Sequence, residues 1–229
     1  MHTKLVVRRK RSWPDLNASA LMMPIIVTLL VFMVALAVQQ SKGISLEMLT
    51  EDASSLQGNA WFLGLISTAG ICLLAAAAGI AFFAGNFRKK IHGGPRKNSA
   101  LMWLSVCSLM LLADDSLMIH ETVAQTLPII PEAVIQAIVG LIIIATLLVF
   151  FRAIGPSFIY AAPALVAWTV SVSADMLSSE SMPAILLIED GSKFLGIILW
   201  FAFILDLANR YFVDVISARS ITAQAAKRY

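Results

Sequence analysis

Acidic side chains inside apolar segments are the residues of this chain best suited to chemistry. One group joins carboxylates to a histidine near the end of a long apolar run: Asp114, Asp115, His120 and Glu121. A second group joins two carboxylates to a lysine in the last long apolar run: Glu189, Asp190 and Lys193. Asp175 ends a further apolar run between them. An ionisable group costs about 2.5–3.5 kcal/mol at the bilayer centre, so such groups persist where they pair, face a cavity or bind an ion.

Helical geometry relates several of these residues to one another. At about 100° per residue, Asp114 and Glu121 fall on one face of a continuous helix, while Asp115 points about a quarter turn away. Glu189 precedes Lys193 by one helical turn, in the orientation that favours an ion pair. With a rise of about 1.5 Å per residue, Lys193 lies roughly 13 Å and Asp114 roughly 10 Å from the end of its own span. Lys193 is therefore predicted to need a carboxylate partner.

Three roles are open for these residues, which we call the acidic cluster: Asp114, Asp115, His120, Glu121, Asp175, Glu189, Asp190 and Lys193. The cluster can be a network of ion pairs that sets helix packing. It can bind a divalent cation, because carboxylates and histidine suit hard cations and transition metals. The ligands of such a cation would be Asp114, Glu121, Glu189 and Asp190. It can also relay protons or ions, because crowded, buried carboxylates exchange protons near neutral pH.

The charges of the acidic cluster do not balance. Six carboxylates face the single ammonium group of Lys193, which leaves a surplus of about five negative charges. Some of these carboxylates must be protonated, hydrated or neutralised by a bound cation. The surplus is the feature of the sequence that most favours a functional role over a purely structural one.

Several other chemistries have no support in the residue types. Of His2, His92 and His120, one lies at membrane depth, so a haem held by two histidines of the chain is not expected. Cys72 and Cys107 lack zinc-ligand spacing and are predicted to be small packing residues. The chain has no G-x-S-x-G, H-E-x-x-H or P-loop pattern, so an enzyme is not favoured, and catalysis on a lipid is a minor alternative.

The segments that carry these residues are predicted to be membrane-spanning helices. Hydrophobic residues make up 59% and charged residues 14% of the 229 residues, and the mean hydropathy is +0.83. Soluble domains contain about 25% charged residues, and runs of about 20 apolar residues can cross a bilayer. The prediction is an all-α polytopic bundle of six transmembrane helices, near residues 20–38, 61–85, 100–121, 133–151, 158–177 and 184–207. The transmembrane domain (20–208) lies between basic cytoplasmic segments, 1–19 and 209–229.

The positions of Lys and Arg predict that both ends of the chain lie in the cytoplasm. Fifteen of the 17 basic residues fall in the two terminal segments, in the loop at 86–98 or at Arg152. Basic loops stay on the cytoplasmic side, so the acidic cluster is expected to face outward from the inner membrane of a bacterium. The same basic loops account for the pI near 9.0, and nucleic acid is not an expected partner.

Two apolar patterns near the N-terminus predict local structure. The first apolar run resembles a signal peptide but is longer than the usual ~7–15 residues, so we interpret it as a membrane anchor. Within residues 41–59, Leu46, Leu49, Ala53 and Leu56 recur at helical spacing opposite acidic residues. This pattern indicates a short amphipathic helix at the membrane interface.

Small residues four positions apart in the second span indicate close helix packing, in the steps Ala75/Gly79 and Ala77/Ala81/Gly85. Near the cytoplasmic end of the sixth span, Asp206 precedes Arg210 by one helical turn. Opposite charges at this spacing interact on a helix surface, so Asp206 is predicted to pair with Arg210 in a structural role.

Two blocks of the acidic cluster resemble a pattern found in uncharacterised bacterial multi-pass membrane proteins. The first block contains Leu112, Ala113, Asp114 and Asp115, followed by His120 and Glu121. The second contains Ile188, Glu189 and Asp190, followed by Lys193, Phe194, Leu195 and Gly196. The blocks cover under a fifth of the chain. The resemblance implies the same site residues and implies no activity.

These observations lead to one main hypothesis and one rival. The main hypothesis is an inner-membrane protein whose outward-facing acidic cluster binds a cation or relays protons, with His120 as a ligand or titratable gate and Lys193 as the internal counter-charge. The rival is an accessory or assembly subunit of a larger, energy-transducing membrane complex, with the cluster as a structural ion-pair network. Partners would then be other membrane subunits or further copies of the chain, in addition to the lipid bilayer.

Overall fold

The computed structural model describes residues 19–50, 64–92, 95–126, 129, 131–177 and 183–226. Every regular element in these ranges is a helix, which confirms the predicted all-α class. In chain order the helices are α1 (Ser19–Lys42), α2 (Leu46–Thr50), α3 (Leu65–His92), α4 (Pro95–Leu117), α5 (Ile119–Thr126), α6 (Glu132–Val149), α7 (Phe151–Ile154), α8 (Phe158–Leu177) and α9 (Pro183–Ala226), with a 3₁₀ turn at Gly155–Ser157.

Six helical segments of the described residues are long and apolar enough to cross a membrane, which confirms the predicted number of spans. These segments are Ser19–Lys42, Leu65–Phe87, Asn98–Leu117, Glu132–Val149, Phe151–Met176 and Leu187–Asp214. Many of their large apolar side chains are exposed on the outside of the bundle, as expected where lipid rather than water surrounds it. The chain is therefore a multi-pass membrane protein.

Helix α9 is the centre of the bundle and packs against α8, α3 and α1. Its inward face carries large side chains with no exposed surface: Trp200, Phe203, Ile204 and Leu207. The helix has 44 residues and is about 66 Å long, roughly twice the thickness of a hydrocarbon core. It therefore continues well beyond the membrane at the end that carries Arg210.

The small residues of α3 divide into a packing face and a lipid face. Ala77 and Ala81 are fully buried, and a Cβ atom at Gly85 would lie 3.3 Å from Cβ of Leu101 on α4. The predicted close packing through this step is confirmed. The other step, Ala75/Gly79, is exposed, and so is Cys72, so the packing roles predicted for these residues are wrong. Helices α4 and α9 cover only one side of α3, and these residues lie on the other side.

The short helix α2 packs against the bundle through its leucines. Leu46 and Leu49 are buried in a cluster with Phe32 of α1, Ile66 of α3 and Phe194 of α9. This burial confirms that the two leucines belong to an apolar face, as predicted. In the structure they contact side chains of other helices. Ala53 and Leu56, the rest of that predicted face, lie outside the described residues.

The third span is interrupted where a continuous helix is predicted. Helix α4 ends at Leu117, and α5 begins at Ile119. Between them, Met118 has a φ of 49°, a left-handed conformation that L-residues with a side chain adopt rarely. Because the helix is broken, the prediction that Asp114 and Glu121 share one helical face does not apply.

At the end of the bundle away from Met118, polar contacts attach the turn before α8 to α9. Asp206 Oδ2 accepts hydrogen bonds of 2.7 Å from Arg210 Nε and from the buried Ser157 Oγ. Tyr211 donates its hydroxyl proton to the carbonyl oxygen of Ala153 at 2.9 Å. The predicted pair of Asp206 with Arg210 is confirmed, and its role is structural.

One polar contact inside the apolar core gives a test of the packing. Trp200 Nε1 donates to Ser108 Oγ at 2.9 Å, and both side chains are fully buried. Ser108→Ala leaves this N–H group without its acceptor, so we expect the free energy of unfolding to fall by about 1 kcal/mol. Thermal unfolding in detergent measures the loss. Ser173→Ala on the exposed side of α8 is the control, and an equal loss there would contradict a specific role for Ser108.

Candidate functional site

A cavity of about 680 Å³ lies between α4, α6, α8 and α9. Its ionisable lining residues come from all four helices: Asp114 and Asp115, Glu132, Asp175, and Glu189 with Lys193. These residues lie near the end of α4, the start of α6, the end of α8 and the start of α9. The four helices therefore alternate in direction and bring the same end of each span to one place, which we call the acidic end of the bundle.

Two charged side chains of the cavity form an ion pair between two helices. Lys193 Nζ of α9 lies 2.6 Å from Asp115 Oδ1 of α4, which confirms that this lysine has a carboxylate partner. The Asp115 side chain is 8% exposed, whereas the Lys193 side chain is 40% exposed. The pair connects the two helices and joins one of the five described cavity carboxylates to the one described cavity lysine.

The remaining carboxylates concentrate negative charge at the acidic end. Glu189 lies within electrostatic range of three other carboxylates, Asp175, Asp190 and Glu132. Lys193 is the cation that acts on it. Among the described cavity residues there are five carboxylates and one lysine, a surplus of four carboxylates that includes Glu132 and leaves out Glu121 and Asp190 of the predicted set.

Glu132 is a cavity residue that the sequence analysis did not include. It is the first residue of α6, after Pro131, and the amide Nε2 of Gln136 donates to its Oε1 at 3.4 Å. Read along the chain, it looks like a loop residue before the fourth span. Its position along the chain could have identified it. A carboxylate at the start of the fourth span lies at the same membrane level as the carboxylates that end the third and fifth spans.

Not every predicted site residue lines the cavity. Asp114, Asp115, Asp175, Glu189 and Lys193 do. Asp190 is absent from the described lining, although it interacts electrostatically with Glu189. His120 and Glu121 belong to α5, beyond the helix break, and their side chains lie outside what the structure describes.

The cavity is elongated, and its two ends differ in polarity. Along α6 it runs from Glu132 to Ile144, which is about 18 Å at a helical rise of about 1.5 Å per residue. The carboxylates come from the helix ends that meet at the acidic end, near Glu132. The far half is lined by apolar side chains from five helices, among them Leu74, Leu111, Ile143, Ile144, Leu165 and Ile197.

Trp168 forms part of the cavity wall and lies between Leu165 and Asp175 along α8. Its ring packs against that of Trp200 with the ring centroids 5.6 Å apart. A Cβ atom at Gly196 of α9 would lie 2.5 Å from the Trp168 ring, so only glycine permits this approach of α8 to α9. Gly196 therefore permits the close packing of α9 against Trp168, a residue of the cavity wall.

A compact metal centre is not formed by the described residues. No three His, Cys, Asp or Glu side chains among them lie close enough together to hold one ion. The ligand set predicted from the sequence includes Glu121, whose side chain is not described, so that set stays a prediction. The described carboxylates instead line a cavity far larger than a bare ion.

The fold and the cavity define a multi-pass helical membrane protein with a charged cavity between its spans. A family model matches residues 24–207, so the chain belongs to DUF8692, a domain of unknown function. The match includes every described residue that lines the cavity. No curated protein and no solved structure matches the chain.

Proposed function

We propose that the protein binds a cation in the cavity at the acidic end of its transmembrane bundle. The observation that carries the proposal is that five carboxylates and one lysine, from four helices, line a single cavity. Negative charge in a region of low dielectric attracts a positive ligand strongly, because water does not screen it well there. The positive-inside pattern of Lys and Arg favours an acidic end that faces outward from a bacterial inner membrane.

The core beneath the cavity favours binding over a proton relay that crosses the membrane. Toward the end of the bundle that carries Arg210, the described core consists largely of apolar side chains such as Leu101, Leu104, Phe203 and Leu207. A relay needs closely spaced polar groups or water along its whole length. The buried hydroxyls of Ser105 and Ser108 contact backbone or Trp200 and do not continue the row of carboxylates.

To test cation binding, the purified protein in detergent is titrated with five chloride salts. Their cations are sodium, magnesium, calcium, guanidinium and hexylguanidinium. We expect at least one of these cations to bind, and the double variant Asp175→Asn/Glu189→Gln to bind it at least tenfold more weakly. Asp214→Asn is a control for the loss of a carboxylate outside the cavity, because Asp214 lies on α9 and is not among the described lining residues. Calorimetry measures the affinities.

Two results would contradict the proposal. One is that none of the cations binds to the wild-type protein. The other is that binding is unchanged in the double variant, which would place the ligand elsewhere.

A second candidate function is that of a subunit in a larger membrane complex. Helix α6 favours it, because only Ile143, Thr146 and Leu147 of its 18 residues are buried, and it packs chiefly against α4 and α5. Its outward face is available to lipid or to a partner helix. A stoichiometric partner retained through purification in mild detergent would favour this candidate over cation binding by the chain alone.

A further inference from the structure

We infer that the ligand of the cavity is an organic cation with an apolar body, a guanidinium or ammonium compound, rather than a metal ion. This inference rests on the proposed cation binding and adds the chemical class of the ligand. Four features of the cavity support it: its size, the separation of its polar and apolar ends, its aromatic wall and its opening between helices.

Size and shape argue against a bare ion. A volume of about 680 Å³ is within the range of about 300–1,000 Å³ that is usual for sites of small organic molecules. The cavity extends for about 18 Å along α6, whereas an ion bound directly by carboxylates lies about 2.0–2.6 Å from each ligand atom. The described residues also form no group of three ligating side chains.

The lining has the polarity of an amphipathic cation. Glu132, Asp175 and Glu189 lie at the acidic end, where they suit a charged head group. The far end offers Ile143, Ile144 and other apolar side chains to a hydrocarbon body. An inorganic cation would leave this apolar half without a role.

Trp168 lines the cavity between Leu165 and Asp175 of α8, a position that suits both a cation and an apolar body. An aromatic face attracts a guanidinium or ammonium group and also packs against hydrocarbon. Gly196 is required to place the ring there.

The walls formed by α6 and α8 separate at membrane depth. Helix α6 packs mainly against α4 and α5, and α8 mainly against α9. Leu141 and Ile144, in the middle of α6, line the cavity and are exposed. A ligand with an apolar body can therefore reach the cavity from the bilayer, a route that strongly hydrated metal ions do not take.

Three probes separate the two parts of the ligand. Hexylguanidinium has the charge and the apolar body, guanidinium has only the charge, and hexylurea is the uncharged counterpart with the same body. We expect hexylguanidinium to bind at least tenfold more tightly than either of the others. Asp175→Asn/Glu189→Gln should weaken it at least tenfold. Detergent takes up the probe equally in wild-type and variant samples, so their difference reports the protein.

A variant at the apolar end tests the body separately. A Cβ atom at Gly140 meets nothing within 4 Å, and Gly140 lines the cavity, so Gly140→Leu adds apolar bulk to the cavity wall at a position that has room for a side chain to begin. We expect this variant to unfold at the wild-type temperature, to bind hexylguanidinium at least tenfold more weakly and to bind guanidinium unchanged.

The outcomes distinguish this inference from the proposed function. If magnesium, calcium, sodium or guanidinium binds as tightly as hexylguanidinium and depends on the cavity carboxylates, the inference is overturned and the proposed function stands. If hexylurea binds equally well, or Gly140→Leu leaves hexylguanidinium binding unchanged, the apolar half is not part of a cation site and the inference fails. If no cation binds at all, both the inference and the proposed function fail.

Discussion

Replacing Lys193 by Met is expected to lower the free energy of unfolding by about 3 kcal/mol, because it leaves the Asp115 carboxylate buried without its counter-charge. The carboxylate is 8% exposed, so water replaces little of the lost interaction. Loss of one partner of a buried pair costs about 3–5 kcal/mol, and the 40% exposure of Lys193 puts this pair at the lower end. Unfolding in detergent, followed by circular dichroism or by tryptophan fluorescence, measures the change.

The same geometry predicts that the two partners are not equivalent. Asp115→Asn leaves a lysine that is already half-exposed and stands close to Glu189, so we expect a smaller loss than for Lys193→Met. The double variant Lys193→Met/Asp115→Leu removes both charges, and it should recover much of the stability lost in Lys193→Met. Equal losses in the two single variants, with no recovery in the double variant, would show that the pair does not stabilise the fold.

Gly196→Ala is expected to lower the free energy of unfolding by about 2–3 kcal/mol, because the added methyl group overlaps the Trp168 ring. The Cβ atom would lie 2.5 Å from ring atoms, well inside van der Waals contact. The ring packs against the fully buried Trp200, so it can retreat only toward the cavity that it lines. Alanine is otherwise preferred to glycine in a helix by about 1 kcal/mol, so the predicted loss is opposite in sign to the propensity effect.

Gly79→Ala is the matched control for this substitution. Gly79 also lies inside a transmembrane helix, but a Cβ atom there meets nothing within 4 Å. Its replacement should leave the unfolding temperature unchanged or raise it slightly. Since Trp168 lines the cavity, Gly196→Ala should also weaken hexylguanidinium binding, while Gly79→Ala should not. Unchanged stability in Gly196→Ala would contradict the close approach of α8 and α9.

The spans could be predicted from the sequence because hydrophobic length is a local property. A bilayer requires about 20 apolar residues in a row, whatever the rest of the chain does. The break at Met118 could not be predicted in this way, since the residues from Ala100 to Glu121 give no proline or glycine to mark it. Its consequence is that the helical angle between Asp114 and Glu121 carries no information about their relative positions.

The candidate site was predictable in its residue types and only partly in its membership. The presence of ionisable residues within apolar spans identified Asp114, Asp115, Asp175, Glu189 and Lys193, which all line the cavity. The favourable spacing of Glu189 and Lys193 along one helix did not reveal the short contact of Lys193, which is with Asp115 on α4. A pair between helices depends on their rotation and spacing, and neither is written in one helix alone.

The sequence by itself determined that the chain crosses a membrane in six helices and that its acidic charge collects toward one end of the spans. Both follow from the cost of placing polar groups in hydrocarbon, which acts on each segment separately. Only the tertiary structure decided that the carboxylates, with Glu132 among them, border one long cavity with an apolar far end. That outcome depends on how closely neighbouring helices pack, and small local features such as Gly196 set that distance.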